Sequence, residues 1–214
     1  MSDYRTGVAP AGRATGEVVK RRVVGLVTGA LGAAIVVSLL LAVEWALEIA
    51  DYVLALGLDR YGIVSHDPQG LGGILFAPFL HAGFPHLMAN TVPLAILGFL
   101  AALRGIGRFV LASFIIIVVS GVGIWLLSPP GLTVGASGLV FGYFGYVVTR
   151  GLFDRHPLDI VLGIGVAVLY YSLIWGVLPG QPGISWQGHL FGLIGGVLAA
   201  WTLRRRGRTP RAYE

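Results

Sequence analysis

The sequence predicts an all-α membrane protein with six transmembrane helices, and three observations carry that reading. Of 214 residues, 56% are hydrophobic and only 12% are charged, whereas a soluble domain carries about 25% charged residues. The charged residues leave four uninterrupted stretches, 23–43, 68–103, 109–149 and 160–203, and a helix needs roughly 20 apolar residues to cross a bilayer. With six spans, every Lys and Arg except Arg60 falls on the side of the two termini, which the positive-inside rule makes cytoplasmic. A seventh span would scramble that sorting.

The elements follow in order. Residues 1–22 are polar and read as a mobile cytoplasmic tail. The first span, 23–43, has an apolar run too long for a typical cleaved signal peptide. Residues 44–84 form the first outside loop, which carries Glu44, Glu48, Asp51, Asp59 and Asp67. Within it, Val43–Leu56 reads as an amphipathic helix lying on the membrane surface. The segment from Gly72 to Gly83, interrupted by Pro78, is too short to span. It reads as re-entrant, which is tolerated at depth only against protein. The second span is 85–103. The stretch 109–149 holds two spans, 109–127 and 134–149, broken at Ser128-Pro129-Pro130. The last stretch holds 159–178 and 185–203, broken at Pro179-Gly180-Gln181-Pro182. Residues 23–203 thus form one membrane domain, followed by a basic cytoplasmic tail, 204–214.

This topology also accounts for the pI of about 9.9: the basic residues are topogenic, and nucleic acid is not an expected partner. The chain has no cysteine, which excludes disulfides, thiol nucleophiles and cysteine-ligated metal or iron–sulfur sites.

Polar residues at membrane depth are costly and mark function. Asn90 in span 2, Ser137 in span 4 and His189 in span 6 each lie roughly 20–22 Å above the cytoplasmic arginines at 1.5 Å per residue. They share one level. His86 precedes Asn90 by one turn on the same face. A lone serine in a membrane helix usually bonds its own backbone, and a lone histidine serves proton relay as readily as catalysis. At a common depth they make a nucleophile and a base within reach. Gly135 and Gly138 flank Ser137, Gly188 and Gly192 flank His189, and further glycines follow both. Small residues at such spacings let helix backbones approach closely. Span 4 covers only about 24 Å, so Ser137 sits at the floor of a depression open to water.

No carboxylate is expected at that depth, so the chemistry is that of a Ser–His dyad, with the histidine tautomer held by packing or a neutral partner. His86, Asn90 and the Ser137 backbone N–H supply donors for an oxyanion. A metal is not called for: His81 and His86, five apart, point to different helical faces, and no HExxH motif is present. Nor is a cofactor.

The runs His81-Ala-Gly-Phe-Pro-His86-Leu-Met-Ala-Asn90, Gly135-Ala-Ser137-Gly138 and His189-Leu-Phe-Gly192-Leu-Ile-Gly-Gly196 resemble the rhomboid family of intramembrane serine proteases. The resemblance covers about residues 70–203. It implies a bacterial-type six-span core with a short central helix 4, Ser137 as nucleophile, His189 as general base, and His86, Asn90 and the Ser137 amide as the oxyanion hole. His81 becomes a structural or cavity-lining residue. Phe141 stands where the family often has a tyrosine packed on the catalytic histidine. The implied substrates are single-span membrane proteins, entering laterally between spans 2 and 5. The first outside loop departs from the family pattern: it lacks the common Trp-Arg pair and offers Arg60-Tyr61. A relative that binds membrane helices without cutting them is the alternative, but such relatives typically lack the serine or the histidine. The expected location is a bacterial plasma membrane.

Overall fold

The computed structural model describes residues 11–205 and is predominantly helical. Helix α1 (Ala11–Leu54) leads into a region of short elements. That region holds a 3-10 turn at Leu58–Tyr61, strand β1 (Ile63–Val64), a second 3-10 turn at Pro68–Gly72, α2 (Gly73–Phe76) and a third turn at Ala77–Phe79. Then come α3 (Phe84–Ala102), α4 (Ile106–Leu127), strand β2 (Leu132–Thr133) and α5 (Ser137–Asp154). The chain ends in α6 (Pro157–Leu169), a 3-10 turn at Tyr171–Val177, and α7 (Trp186–Thr202). Among the described residues three helices are long and apolar enough to cross a membrane: α1 over Gly16–Leu54, α3 and α4. A fourth is added if α6 and the turn after it, bent by 67°, count as one.

The region expected to form the first outside loop differs from expectation. Val43–Leu56 is no separate surface helix, because α1 runs through to Leu54. Glu44, Glu48 and Asp51 recur at one-turn spacing and so share a face, while Val43, Ile49, Tyr52, Val53 and Leu54 are exposed. The outward face therefore stays apolar past the acids, and a charge in the sequence did not mark the end of the helix. Glu44 is fully buried, and neither carboxylate oxygen has a hydrogen-bond partner among the described residues. At its other end α1 takes in residues 11–22 of the expected tail; residues 1–10 and 206–214 lie outside the described residues.

The segment expected to be re-entrant is a run of tight helical turns packed on α4. A Cβ at Gly121 would lie 2.5 Å from Ile74 Cγ2. Pairing of Ile63 with Thr133 and Val64 with Leu132 ties this region to the stretch before Ser137. The pair of two-residue strands had no alternating pattern long enough to be read from sequence.

The core centres on α5, and its contact with α7 is backbone to backbone. A Cβ on Gly192 would overlap the Gly138 carbonyl oxygen, one on Gly196 the Gly142 oxygen, and one on Gly145 would come within 2.7 Å of the Leu193 oxygen. Around this contact pack Leu94, Leu97, Ile116, Leu139, Tyr143 and Val147, all buried. Trp45 Nε1 donates to Thr91 Oγ1 at 3.1 Å, linking α1 to α3.

The opposite end is closed by charge. Arg104 pairs with Asp154 at 2.9 Å and with Asp159. Arg150 reaches Asp159 at 3.5 Å and donates to the Leu100 carbonyl at 2.6 Å. The Arg205 N–H donates to Asp154 at 2.7 Å. Arg150 is thus an internal residue of α5 and not its terminus, which is why the helix continues to Asp154.

Gly196→Val should cost about 1–3 kcal/mol by overpacking, seen as a lower thermal transition in detergent. Gly165→Ala in α6, where a Cβ meets nothing within 4 Å, should be neutral or slightly stabilising.

Candidate active site

Ser137 is the first residue of α5, three residues later than the expected start of span 4. The delay follows from the chain before it. Gly135 sits at φ +121°, which disfavours any other residue, and its N–H donates to the Ala77 carbonyl at 2.9 Å. The helix can begin only after that turn. Since the first four N–H groups of an α-helix have no intrahelical partner, the Ser137 amide is presented as a free donor at the positive end of the helix dipole.

One cavity of about 690 Å³ gathers the polar residues singled out in the sequence: Ser137, His86, Asn90 and His189 all line it, together with Gln187 and Ser185. Its wall includes the stretch from Ser128 to Val134. Asn90 is buried, and its side-chain amide donates to the His86 carbonyl at 3.1 Å, which fixes it one turn below the His86 ring. Gly135 is also needed for space, because a Cβ there would lie 2.7 Å from His86 Nε2. Gly138 makes room in the same way for Ser120, whose hydroxyl donates to the Gly188 carbonyl at 2.9 Å.

His189 is held from two sides. Its ring stacks on Phe141 with centroids 4.0 Å apart and planes 11° apart. Its Nδ1 lies 2.9 Å from the Gly176 carbonyl oxygen. A carbonyl only accepts, so Nδ1 carries the proton and the neutral ring keeps its lone pair on Nε2. Gly176 was not visible in the sequence as a site residue: nothing marks a glycine in an apolar helix as the partner of a distant histidine. Among the described residues no hydrogen bond joins Ser137 to His189; catalytic hydrogen bonds often tighten only in the Michaelis or transition-state complex.

His81 is 2% exposed, and its Nε2 accepts from the Ala136 N–H at 3.4 Å, just ahead of Ser137. The expectation that His81 and His86 diverge is corrected here. His81 precedes α3 and is not on its helical lattice, so the two rings meet edge to face with centroids 5.2 Å apart. Among the described residues no group of three or more His, Asp or Glu side chains could hold a metal ion. In the 3-10 turn Leu58–Tyr61, burial and then the Asp51 carboxylate push the Asp59 carboxyl above its usual range, opposed by His86.

A predominantly helical chain with spans of membrane length and a serine and a histidine in one cavity defines a class, the polytopic membrane protein with an embedded polar site. The family follows from comparison. Residues 68–206 match the rhomboid domain model, and the chain belongs to the rhomboid family. It is 43% identical over 182 residues to uncharacterized proteins of Mycobacterium bovis and Mycobacterium tuberculosis, covering 81% of this chain and 76% of each relative. It is 30% identical over 156 residues to the rhomboid protease GluP of Bacillus subtilis, which is 72% of this chain and 30% of that protein.

Gly135→Ala should lower thermal stability by about 1–3 kcal/mol, the usual cost of a strained backbone position. It should also displace the His86 ring, seen as a change in the His86 side-chain NMR signals in a protein that retains its helix content.

Proposed function

We propose that this protein is an intramembrane serine endopeptidase that hydrolyses peptide bonds of single-span membrane proteins with Ser137 and His189 as a dyad. The observation that carries this reading is the shared cavity, with Ser137 at its helix start and His189 held so that Nε2 keeps its lone pair. His189 Nε2 takes the Ser137 proton as Oγ attacks the scissile carbonyl. The developing oxyanion is met by the Ser137 amide, His86 and Asn90. The protonated His189 then gives its proton to the departing amine. Water entering through the cavity hydrolyses the acyl-enzyme with His189 again as base. No metal or cofactor is needed for these steps.

In this reading the chain crosses the membrane six times, with α5, the bent α6 and α7 joining the three long spans. Both termini lie in the cytoplasm of a bacterium and the site opens to the outer face. Single-span substrates enter from the bilayer between α3 and α6 and unwind to expose the bond to be cut. Support comes from membership of the rhomboid family and from similarity to a relative named as a rhomboid protease. The clustering of Arg104, Arg150, Asp154, Asp159 and Arg205 at one end agrees with a single cytoplasmic side.

Ser137→Ala and His189→Ala should each abolish cleavage of a transmembrane reporter in proteoliposomes while expression and helix content stay unchanged. Undiminished cleavage by either variant would end the dyad reading.

His86→Ala and Asn90→Ala should act chiefly on kcat, with roughly 10²–10³-fold the loss for a strong oxyanion donor. A rise in KM alone would make them recognition residues.

A further inference from the structure

Among the described residues no carboxylate stands behind His189; a backbone carbonyl stands there instead. Gly176 belongs to the 3-10 turn Tyr171–Val177, which continues α6 beyond the 67° bend. Its carbonyl accepts the His189 Nδ1 proton at 2.9 Å. The approach depends on glycine for space, because a Cβ there would lie 2.7 Å from Phe141 Cζ and 3.0 Å from His189 Nδ1. The turn therefore abuts the stacked Phe141–His189 pair with its backbone, while Tyr171, Ile174 and Trp175 are exposed on it.

The two ends of this stretch are held differently. Asp159, in the first turn of α6, is locked to Arg104 and Arg150, and Gly163 and Gly151 let α6 lie tightly on α5. Past the bend, the turn lies against Phe141 of α5 and meets the α7 histidine through the Gly176 carbonyl.

We propose that Gly176 is the positioning residue of the general base: its carbonyl fills the place a carboxylate takes in a Ser–His–Asp triad, and the turn Tyr171–Val177 thereby controls whether the dyad is armed. This rests on the reading of Ser137 and His189 as the dyad. With the turn seated, the Nδ1 proton is held and Nε2 faces the serine as acceptor. With the turn displaced, as when a helix wedges against α6, the bond is lost and the ring is free to move its proton to Nε2, where it no longer acts as a base. Chemistry then waits for the turn to return.

The test is the tautomer of His189 together with the kinetics of Gly176→Ala. Wild-type protein with 15N-labelled histidine in detergent micelles, assigned by the signals lost in His189→Ala, should carry the His189 proton on Nδ1. Gly176→Ala should lose that tautomer and lower kcat by about 10²-fold, the low end of what a positioned base contributes, with KM changed less than about threefold. Ile174→Ala, an exposed side chain on the same turn, should retain kcat. An active wild type with its proton on Nε2, or Gly176→Ala with unchanged kcat, would overturn the proposal. If Gly176→Ala does not fold, the wild-type tautomer alone decides. A wild type that neither cleaves the reporter nor reacts with a fluorophosphonate at Ser137 would instead sink the dyad reading, while the tautomer would still report whether Gly176 positions His189.

Discussion

The contact on which the rest depends is the glycine seam between α5 and α7. Helices carrying ordinary side chains pack with axes 8–10 Å apart. Here Gly138, Gly142 and Gly145 face Gly192, Gly196 and the Leu193 carbonyl so closely that a single Cβ at Gly192 or Gly196 would overlap backbone oxygen. In a bilayer there is no hydrophobic drive between helices, so such a seam is stabilised by dispersion between closely set backbones. Ser137 sits at the start of one helix and His189 in the first turn of the other. The seam therefore sets how far apart the two ends that carry them lie.

A second constraint follows from burial. Buried polar side chains must find partners, and here they repeatedly find backbone carbonyls: Ser120 at Gly188, His189 at Gly176, Gln187 at Leu127 and Arg150 at Leu100. Three of these carbonyls, Leu100, Leu127 and Gly176, lie in the last turn of a helix or in a 3-10 turn, where carbonyls are left without an intrahelical partner and serve where a carboxylate would need a counter-charge. Glu44 is the contrast, a buried carboxylate without a partner among the described residues, placed on the inner face of α1 away from these bonds. The charged network of Arg104, Arg150, Asp154 and Asp159 is confined to the other end of the bundle, where it holds α5 and α6 together. The proposed dyad thus works in a region organised by neutral hydrogen bonds.

Much of this was legible in the sequence, and for definite reasons. Hydropathy located the long apolar helices α3 and α4 to within a few residues, because a bilayer imposes length and polarity on each span separately. The i, i+4 spacing of His86 and Asn90 placed both on one face of α3, since helix geometry is local. Glycine spacing in Gly135–Gly145 and Gly188–Gly196 announced that two helices approach closely, and Ser137 and His189 sat at matching distances from the basic ends. The motifs also carried the resemblance to the rhomboid family, to which the chain belongs.

Other features were decided only by the tertiary structure. Glu44 looked like the end of a span because charge in a sequence has no direction; in the fold it points inward, and α1 runs on with an apolar outer face. The start of α5 at Ser137 depends on the Gly135 turn being pinned to the Ala77 carbonyl, and Ala77 belongs to a 3-10 turn nearly sixty residues earlier in the chain. His81 and His86 meet because a turn, and not a helix, separates them. Gly176 reaches His189 because the chain bends after α6 and brings a carbonyl from another helix within 2.9 Å. Local sequence determines which residues are polar and how each helix presents them. Which carbonyl orients the histidine, and which face of α1 meets protein, arise from contacts between segments far apart in the chain.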